Sequence, residues 1–316
     1  MKRKRTGETG RDGLAALAFL TPSFVGLFIF SVIPILGAIG ISLLEWDILS
    51  PPKFVGFANY TEIWRELVSG EVLRQVILNT LYFTAVTVPL AMAVSLGISL
   101  LLNRKIRGVA AFRVIYFLPS VTSIVALSII WRLMYNPDYG LINRALGAIR
   151  IPGVANGHLA FVPLIPHPPA WLGDPNWAMP AIIIMSVWTG IGYNAILYLA
   201  GLQGIGKSYY EAARLDGAGA WQVFRHVTWP LLSPTTLFIF TMSVIGGFQV
   251  FTQIFMMTAG NPRPQTMVFV YHIYSQAFTS FKMGYASALA VLLFLIILSV
   301  TLGQLAATKR WVNYGN

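Results

Sequence analysis

The feature that most constrains this chain is a set of long stretches that contain no Asp, Glu, Lys or Arg. Six of them have a strongly apolar core and come close to or exceed the length, about 20 residues, that an α-helix needs to cross a bilayer. They are residues 13–44, 75–102, 114–131, 176–206, 226–262 and 283–308. Backbone polar groups in lipid must be bonded within their own segment, so the sequence predicts an all-α integral membrane protein with six transmembrane helices. A composition of 56% hydrophobic and only 10% charged residues excludes a water-soluble domain.

The basic residues predict the orientation of these helices. The formal net charge is +11, yet the Lys and Arg residues form short clusters between apolar stretches, which is typical of membrane topology and not of nucleic-acid binding. One set of loops holds 14 of the 22 Lys and Arg residues: 1–13, 103–113, 204–232 and 305–316. The other loops are longer in sum and hold fewer: 45–75, 132–178 and 259–284. The positive-inside rule therefore predicts that both termini are cytoplasmic, as an even number of spans requires.

This reading divides the chain into three parts. They are a basic cytoplasmic N-terminus at 1–13, a single six-helix transmembrane domain at 14–308 and a cytoplasmic tail at 309–316. Within the domain, an internal loop occupies 204–232 and a Pro-rich external loop 134–176. Residues 151–173 contain five prolines and lack an apolar core, so we expect an extracytoplasmic loop there and not a span. A short external helix or hairpin is expected at 265–281.

Few groups are available for catalysis or ion coupling. All eleven carboxylates fall in loops or tails, so a proton-coupled carrier would lack its usual intramembrane relay. There is no cysteine, and the four histidines are scattered without catalytic or metal-ligand spacing. Residues 201–208 match the phosphate-loop pattern, but that pattern requires a strand and a helix of an α/β domain. The sequence therefore predicts neither an enzyme nor a metal site, and a lipid-linked enzyme or a secondary carrier remains the less favoured alternative.

The 204–232 loop is the most informative segment. Ser208 is expected to cap a first short helix, with Glu211 completing a capping box. Gly217 allows a tight turn, and Pro230 is expected to end a second helix. The second helix carries an apolar stripe at Trp221, Phe224 and Val227. An amphipathic hairpin of this kind lies on lipid or docks into a partner protein, and its few basic residues favour the partner.

Here the chain resembles the permease subunits of binding-protein-dependent ABC importers, which carry the pattern E-A-A, then G, then I-x-x-P. The matching residues are Glu211, Ala212, Ala213, Asp216, Gly217, Ala218, Phe224, Val227 and Pro230. The resemblance implies that the loop is a coupling helix that sits in a cleft of a cytoplasmic ATPase subunit. Glu211 would anchor the hairpin, Ala212 and Ala213 would allow close contact, and Trp221 and Phe224 would supply the buried surface.

Other segments resemble the carbohydrate branch of that family, especially the larger permease of maltose, multiple-sugar and glycerol-3-phosphate importers. They are 55–60, 135–143, 171–175, 248–251, 258–262, 271–274 and 284–288. Two departures are Asn261, where the family usually has glycine, and Trp229, where it usually has leucine. The stretch 151–169 resembles an insertion on the face where a binding protein would dock.

The resemblance implies a type I ABC importer permease fold in a prokaryotic cytoplasmic membrane. The expected function is ATP-driven uptake of a sugar or oligosaccharide. A permease for glycerol-3-phosphate, an amino acid or another small solute is the alternative. Expected partners are a second homologous permease, two cytoplasmic ATPase subunits, an extracytoplasmic solute-binding protein, the sugar and the bilayer, but no nucleic acid. No cofactor is expected in this chain, because ATP and Mg would bind the ATPase subunits.

The resemblance also implies a substrate pathway on the fourth and fifth spans. Its candidate residues are Thr189, Gly190, Tyr193, Ser243, Gly246, Gly247, Gln249 and Val250. Hydroxyls, an amide and one aromatic ring suit a sugar, and glycines let a ligand approach the backbone. Ser243, Gly246 and Gly247 are equally suited to close helix packing, so both interpretations stay open.

Overall fold

The structure is a computed structural model and describes residues 8–103, 108–155, 158–163 and 168–312. Within them the chain is mainly helical. The α-helices are α1 Glu8–Leu27, α2 Ile33–Ser42, α3 Ala58–Ser69, α4 Glu71–Leu102, α5 Val109–Val121, α6 Ile124–Met134, α7 Leu141–Ala148, α8 Ala178–Gly204, α9 Lys207–Leu215, α10 Ala220–Val223, α11 Trp229–Phe248, α12 Thr252–Met257, α13 Phe269–Tyr274 and α14 Met283–Trp311. Three π-helical turns adjoin them: Phe28–Val32, Phe224–Thr228 and Ser275–Thr279. The strands are β1 Leu44–Glu45, β2 Lys53–Phe54, β3 Arg150–Ala155 and β4 His158–Pro163.

Five helical segments of the described chain are long and apolar enough to cross a membrane. They are Ala15–Ser42, Val72–Leu102, Ala178–Gly204, Ala220–Phe248 and Met283–Thr308. Each coincides with one of the apolar stretches in the sequence, so these predicted helices are confirmed as helices of spanning length.

The third predicted span, 114–131, differs from the prediction of one continuous helix. It consists of Ala111–Val121 and Ile124–Met134, which meet at an angle of 99°. Pro119 removes a backbone donor from the last turns of α5, and Thr122 then adopts an extended conformation with ψ 145°. The described part of the chain therefore has six helical segments that could span a membrane when this bent pair is counted as one.

The chain forms two compact units. The first contains the described residues up to Arg65 together with Ile273–Phe294. The second contains the described part of Glu66–His272 and of the chain from Leu295 onward.

In the first unit, the end of α2 is bonded to the start of α3. Asn59 Nδ2 donates to the carbonyls of Ser42 at 2.8 Å and Leu44 at 2.9 Å. β1 pairs with β2 in antiparallel register, and Lys282 Nζ lies 3.3 Å from Glu62 Oε1. These contacts order the connection that follows the first predicted span.

In the second unit, α4, α8 and α11 pack against one another around Tyr198, Leu202, Leu232 and Ile239, all nearly fully buried. The close approach of α8 to α11 depends on Gly201. A Cβ atom at this position would lie 2.6 Å from Thr235 Oγ1. Small residues thus allow the helices to pack closely, as in other membrane proteins.

A polar cluster attaches the segment before α13 to α4. Asn79 Nδ2 donates to the carbonyls of Pro264 at 2.7 Å and Met267 at 2.9 Å. Thr80 Oγ1 accepts the backbone N–H of Phe269 at 2.9 Å. Of the short helix or hairpin that the sequence predicts within 265–281, the structure has a helix: α13 and the π-helical turn that follows it.

The Pro-rich stretch, which the sequence predicted to be a loop and not a span, contains an antiparallel hairpin. Its register pairs Arg150 with Pro163 and Ala155 with His158. In a two-stranded sheet each strand has an unpaired edge, so a proline need not donate to a ladder. This is why prolines at 152 and 163 are compatible with strands. The part of the stretch at 156–157 and 164–167 lies outside the described residues.

Candidate functional site

The 204–232 loop forms a helical hairpin. The first helix, α9, spans Lys207–Leu215, and the second begins with α10 at Ala220. Tyr210 connects them, because its hydroxyl accepts a hydrogen bond from Thr228 Oγ1 at 3.4 Å. The two short helices predicted from the sequence are therefore confirmed.

Gly217 sets the bend between these helices. Its φ of +74° lies in the left-handed region, where a side chain is strained. The Gly217 N–H donates to the Arg214 carbonyl at 3.0 Å, and the Ala218 N–H donates to the Ala213 carbonyl at 3.0 Å. This pair of bonds is a Schellman motif, which satisfies carbonyls at the end of α9.

The prediction that Ser208 and Glu211 form a capping box is wrong. Gly206, with ψ 137°, is the N-cap of α9, and no side chain caps the helix. The helix begins two residues earlier than expected because glycine adopts the extended cap conformation without needing a side-chain bond. A comparable contact occurs at the second helix, where Gln222 Oε1 accepts the backbone N–H of Gly219 at 2.8 Å.

The prediction that Pro230 ends the second helix is also wrong. α10 continues through the π-helical turn Phe224–Thr228 into α11, forming one helical segment Ala220–Phe248. In the wide turn the Trp229 N–H bonds to the Phe224 carbonyl, and Pro230 lies in the first turn of α11, where its missing donor is tolerated. The hairpin is therefore continuous with a helix of spanning length.

The hairpin exposes a large apolar surface. The Trp221 side chain is 68% exposed and stacks on Phe224 with ring centroids 5.5 Å apart. Leu215, at the tip of α9, is 89% exposed, and Tyr209 is also exposed. The sequence analysis did not include Leu215 among the candidate residues, although its position next to the Gly217 turn indicated that it lies at the tip of the hairpin.

The remaining predicted hairpin residues surround this surface. Glu211, Ala212, Asp216 and Gly217 are exposed, while Ala213, Phe224 and Pro230 are half-buried. Their roles in contact with an ATPase stay predictions.

The second candidate site is a cavity of about 380 Å³ between α4, α8 and α11, called here the α8–α11 cavity. Seven of the eight predicted pathway residues line it: Thr189, Gly190, Tyr193, Ser243, Gly246, Gly247 and Val250. Gln249 does not line it, because α11 ends at Phe248 and the following backbone redirects the chain. Gln253, one residue into α12, lines the cavity instead.

Sequence reasoning missed the contribution of α4. Phe83, Thr87, Val88 and Ala91 complete the wall of the α8–α11 cavity. The uncharged stretch 75–102 predicted a span at this helix. The positions of its threonines in the sequence did not indicate which face of the helix lines the cavity. Only the packing of α4 on α8 and α11 brings them there.

The structure separates the two interpretations left open for the glycines. A Cβ atom at Gly247 would lie 2.9 Å from Thr84 Oγ1, so this glycine serves close packing of α11 on α4. A Cβ atom at Gly190 or Gly246 would meet no atom of the described residues within 4 Å. Those two glycines leave room in the cavity.

Two buried hydroxyls belong to the wall. Thr87 Oγ1 and Ser186 Oγ have no hydrogen-bond partner within the described structure, although both are shielded from solvent. Ser186 is only 8% exposed. An unpaired buried hydroxyl is unfavourable, and a hydroxyl group can both donate and accept a hydrogen bond.

The fold and these sites define a multi-pass membrane protein in which one helical segment joins an exposed hairpin to a cavity between apolar helices. The chain belongs to the family described as binding-protein-dependent transport system inner membrane component, whose sequence pattern matches residues 90–312. It is a multi-pass permease of the inner membrane.

Similar proteins match this chain over nearly its whole length. The lactose transport system permease protein LacF of Rhizobium radiobacter is 33% identical, with 92% of this chain and 93% of the relative covered. The trehalose/maltose transport system permease protein MalF of Thermococcus litoralis is 31% identical, with 92% of each covered. A solved structure of a bacterial alginate ABC transporter, in complex with an alginate pentasaccharide-bound periplasmic protein, matches with a TM-score of 0.78 at 22% identity. It covers 99% of this chain and 100% of the matched chain.

Proposed function

We propose that this chain is one permease subunit of an ATP-driven importer, and that it moves a sugar or oligosaccharide delivered by an extracytoplasmic binding protein. The proposal rests on the uncharged α8–α11 cavity. One end of the helical segment Ala220–Phe248 lines this cavity, and the other end belongs to the exposed hairpin. The sugars named for the two similar permeases support the substrate class.

The proposed complex contains four kinds of subunit. A second homologous permease completes the pathway, two cytoplasmic ATPase subunits bind ATP and Mg, and the binding protein supplies the sugar. This chain binds no cofactor of its own. Both of its termini are cytoplasmic, on the same side as the hairpin.

The continuity of the hairpin with α11 suggests how movement passes along the chain. A docked ATPase subunit that closes around Trp221 and Leu215 displaces the hairpin. Because Ala220–Phe248 is one helical segment, that displacement is carried to Ser243 and Gly246, which line the cavity. ATP-driven closure thus changes access to the sugar.

The test combines purification with uptake. The tagged chain is purified in mild detergent from membranes of its own cells, and the proteins bound at stoichiometric level are identified by mass spectrometry. We expect an ATPase and a second permease. Glu211→Lys is expected to lose the ATPase and to abolish sugar uptake while the chain still inserts.

The matched control is Asp138→Lys, which makes the same charge change at an exposed position far along the chain from the hairpin. It should retain the ATPase. The proposal would be contradicted if the wild-type chain purified without an ATPase and a second permease, or if Glu211→Lys showed normal sugar uptake.

A further inference from the structure

We infer that the α8–α11 cavity selects an uncharged saccharide and excludes an anionic one. The inference rests on the proposed function and names the substrate class of that site. The similar proteins leave the question open, since one matched structure imports the acidic polysaccharide alginate and a similar permease is named for lactose, a neutral sugar.

The charge of the cavity wall is the first observation. Every residue that lines it comes from the stretches 75–102, 176–206 and 226–262, which contain no Asp, Glu, Lys or Arg. An anion that leaves water for this cavity would therefore find no cationic side chain among the described residues that line it. A buried charge without a partner is strongly unfavourable.

The chemistry of the polar wall is the second observation. The polar side chains of this wall are hydroxyls and amides, and they come from each of the helices α4, α8, α11 and α12 that contribute to it: Thr87, Ser186, Thr189, Tyr193, Asn194, Ser243 and Gln253. Such groups both donate and accept hydrogen bonds, which matches the hydroxyls of a neutral sugar. A carboxylate or sulfonate only accepts.

The unpaired hydroxyls of Thr87 and Ser186 are the third observation. Each can donate to a sugar oxygen or accept from a sugar O–H, so a neutral sugar can satisfy both. The open positions at Gly190 and Gly246 give the ring room to approach the backbone.

The natural absence of cysteine allows a direct test. Ser243→Cys places a single thiol of this chain in the cavity wall, and Gly246→Cys places one where a Cβ meets open space. Ser280→Cys, at an exposed position outside the spanning helices, is the matched control. Each variant is assembled with the ATPase, the second permease and the binding protein.

The thiols react during ATP turnover with two reagents of similar size. Hydroxyethyl methanethiosulfonate is neutral and sulfonatoethyl methanethiosulfonate is anionic, and mass spectrometry counts the label on this chain. The ratio of neutral to anionic reaction rates at Ser243→Cys is expected to exceed that at Ser280→Cys by about tenfold or more, because only the cavity thiol requires desolvation of the anion. Equal ratios at Ser243→Cys and Ser280→Cys would overturn the inference. A cationic side chain supplied by the second permease would also give equal ratios, and it would overturn the inference in the same way.

A second reading of the same samples tests the proposed function separately. Sugar-loaded binding protein with ATP should slow the neutral reagent at Ser243→Cys and leave Ser280→Cys unaffected. Absence of this protection would contradict the proposed pathway even if the charge selectivity were found. Failure of both Ser243→Cys and Gly246→Cys to react with the neutral reagent would overturn both proposals.

Discussion

The 204–232 loop and the α8–α11 cavity both depend on glycine, but for different physical reasons. In the loop, Gly217 is required for its backbone conformation, with φ +74°, and a Cβ there would meet no atom of the described part of the chain within 4 Å. In the wall of the cavity, Gly247 is helical and is required for space, because Thr84 lies against it. Gly246, next to it, has neither constraint within this chain. Adjacent glycines can therefore have unrelated functions, and substitutions at single positions distinguish a requirement for backbone conformation from a requirement for space.

The largest effect is expected at the exposed surface of the hairpin. Trp221→Ala removes the ring stacked on Phe224 and should weaken ATPase binding by about 2 kcal/mol or more, since buried tryptophans dominate interfaces. This is about 30-fold in Kd, measured by titrating the ATPase against the permease pair. Trp64→Ala is the matched control, because Trp64 is also 68% exposed but lies on α3. Equal losses in both variants would show that the hairpin is not the docking surface.

The next effect concerns packing of the cavity helices. Gly247→Ala should destabilise the protein by about 1–3 kcal/mol because the new methyl group overlaps Thr84, whereas Gly246→Ala should leave stability nearly unchanged. Thermal unfolding in detergent measures both. Thr84→Ala combined with Gly247→Ala should recover part of the loss. If Gly246→Ala is the less stable variant, the assignment of the two glycines is wrong.

A smaller effect is expected from the backbone of the bend. Gly217→Ala should disfavour the left-handed conformation by about 1–2 kcal/mol and lower sugar-stimulated ATP hydrolysis. Gly217→Asn should lose less activity, because asparagine enters the left-handed region more readily. A loss of equal size in both variants would indicate that side-chain volume at the interface, and not φ, sets the requirement.

The smallest effect is expected at the position where the sequence suggested a cap. Ser208→Ala should change stability by less than about 0.5 kcal/mol, because Gly206 is the N-cap of α9. A serine that capped the helix would lose about 1 kcal/mol. Thermal unfolding of the permease pair distinguishes these values, and a loss of the larger size would restore the cap at Ser208.

Prediction from the sequence succeeded where the signal lies in composition or in a local motif. The uncharged stretches located five helices of spanning length and the bent pair, because a bilayer requires long apolar helices whatever their tertiary contacts. The E-A-A segment located the hairpin, and Gly217 located its bend. The helix boundaries predicted at Ser208 and Pro230 were wrong, because several residues near each position can begin or end a helix and the local sequence does not select among them.

The sequence by itself determined that this chain is helical, spans a membrane and carries a two-helix hairpin, because apolar length, charge clusters and turn residues act locally. Only the tertiary structure decided which residues meet. It placed Thr87 of α4 beside residues of α8 and α11, and it separated Gly246 from Gly247. It also joined the hairpin to α11 through a π-helical turn. These features depend on how the faces of different helices pack and on which backbone hydrogen bonds form at a proline, and no single segment of the sequence contains that information.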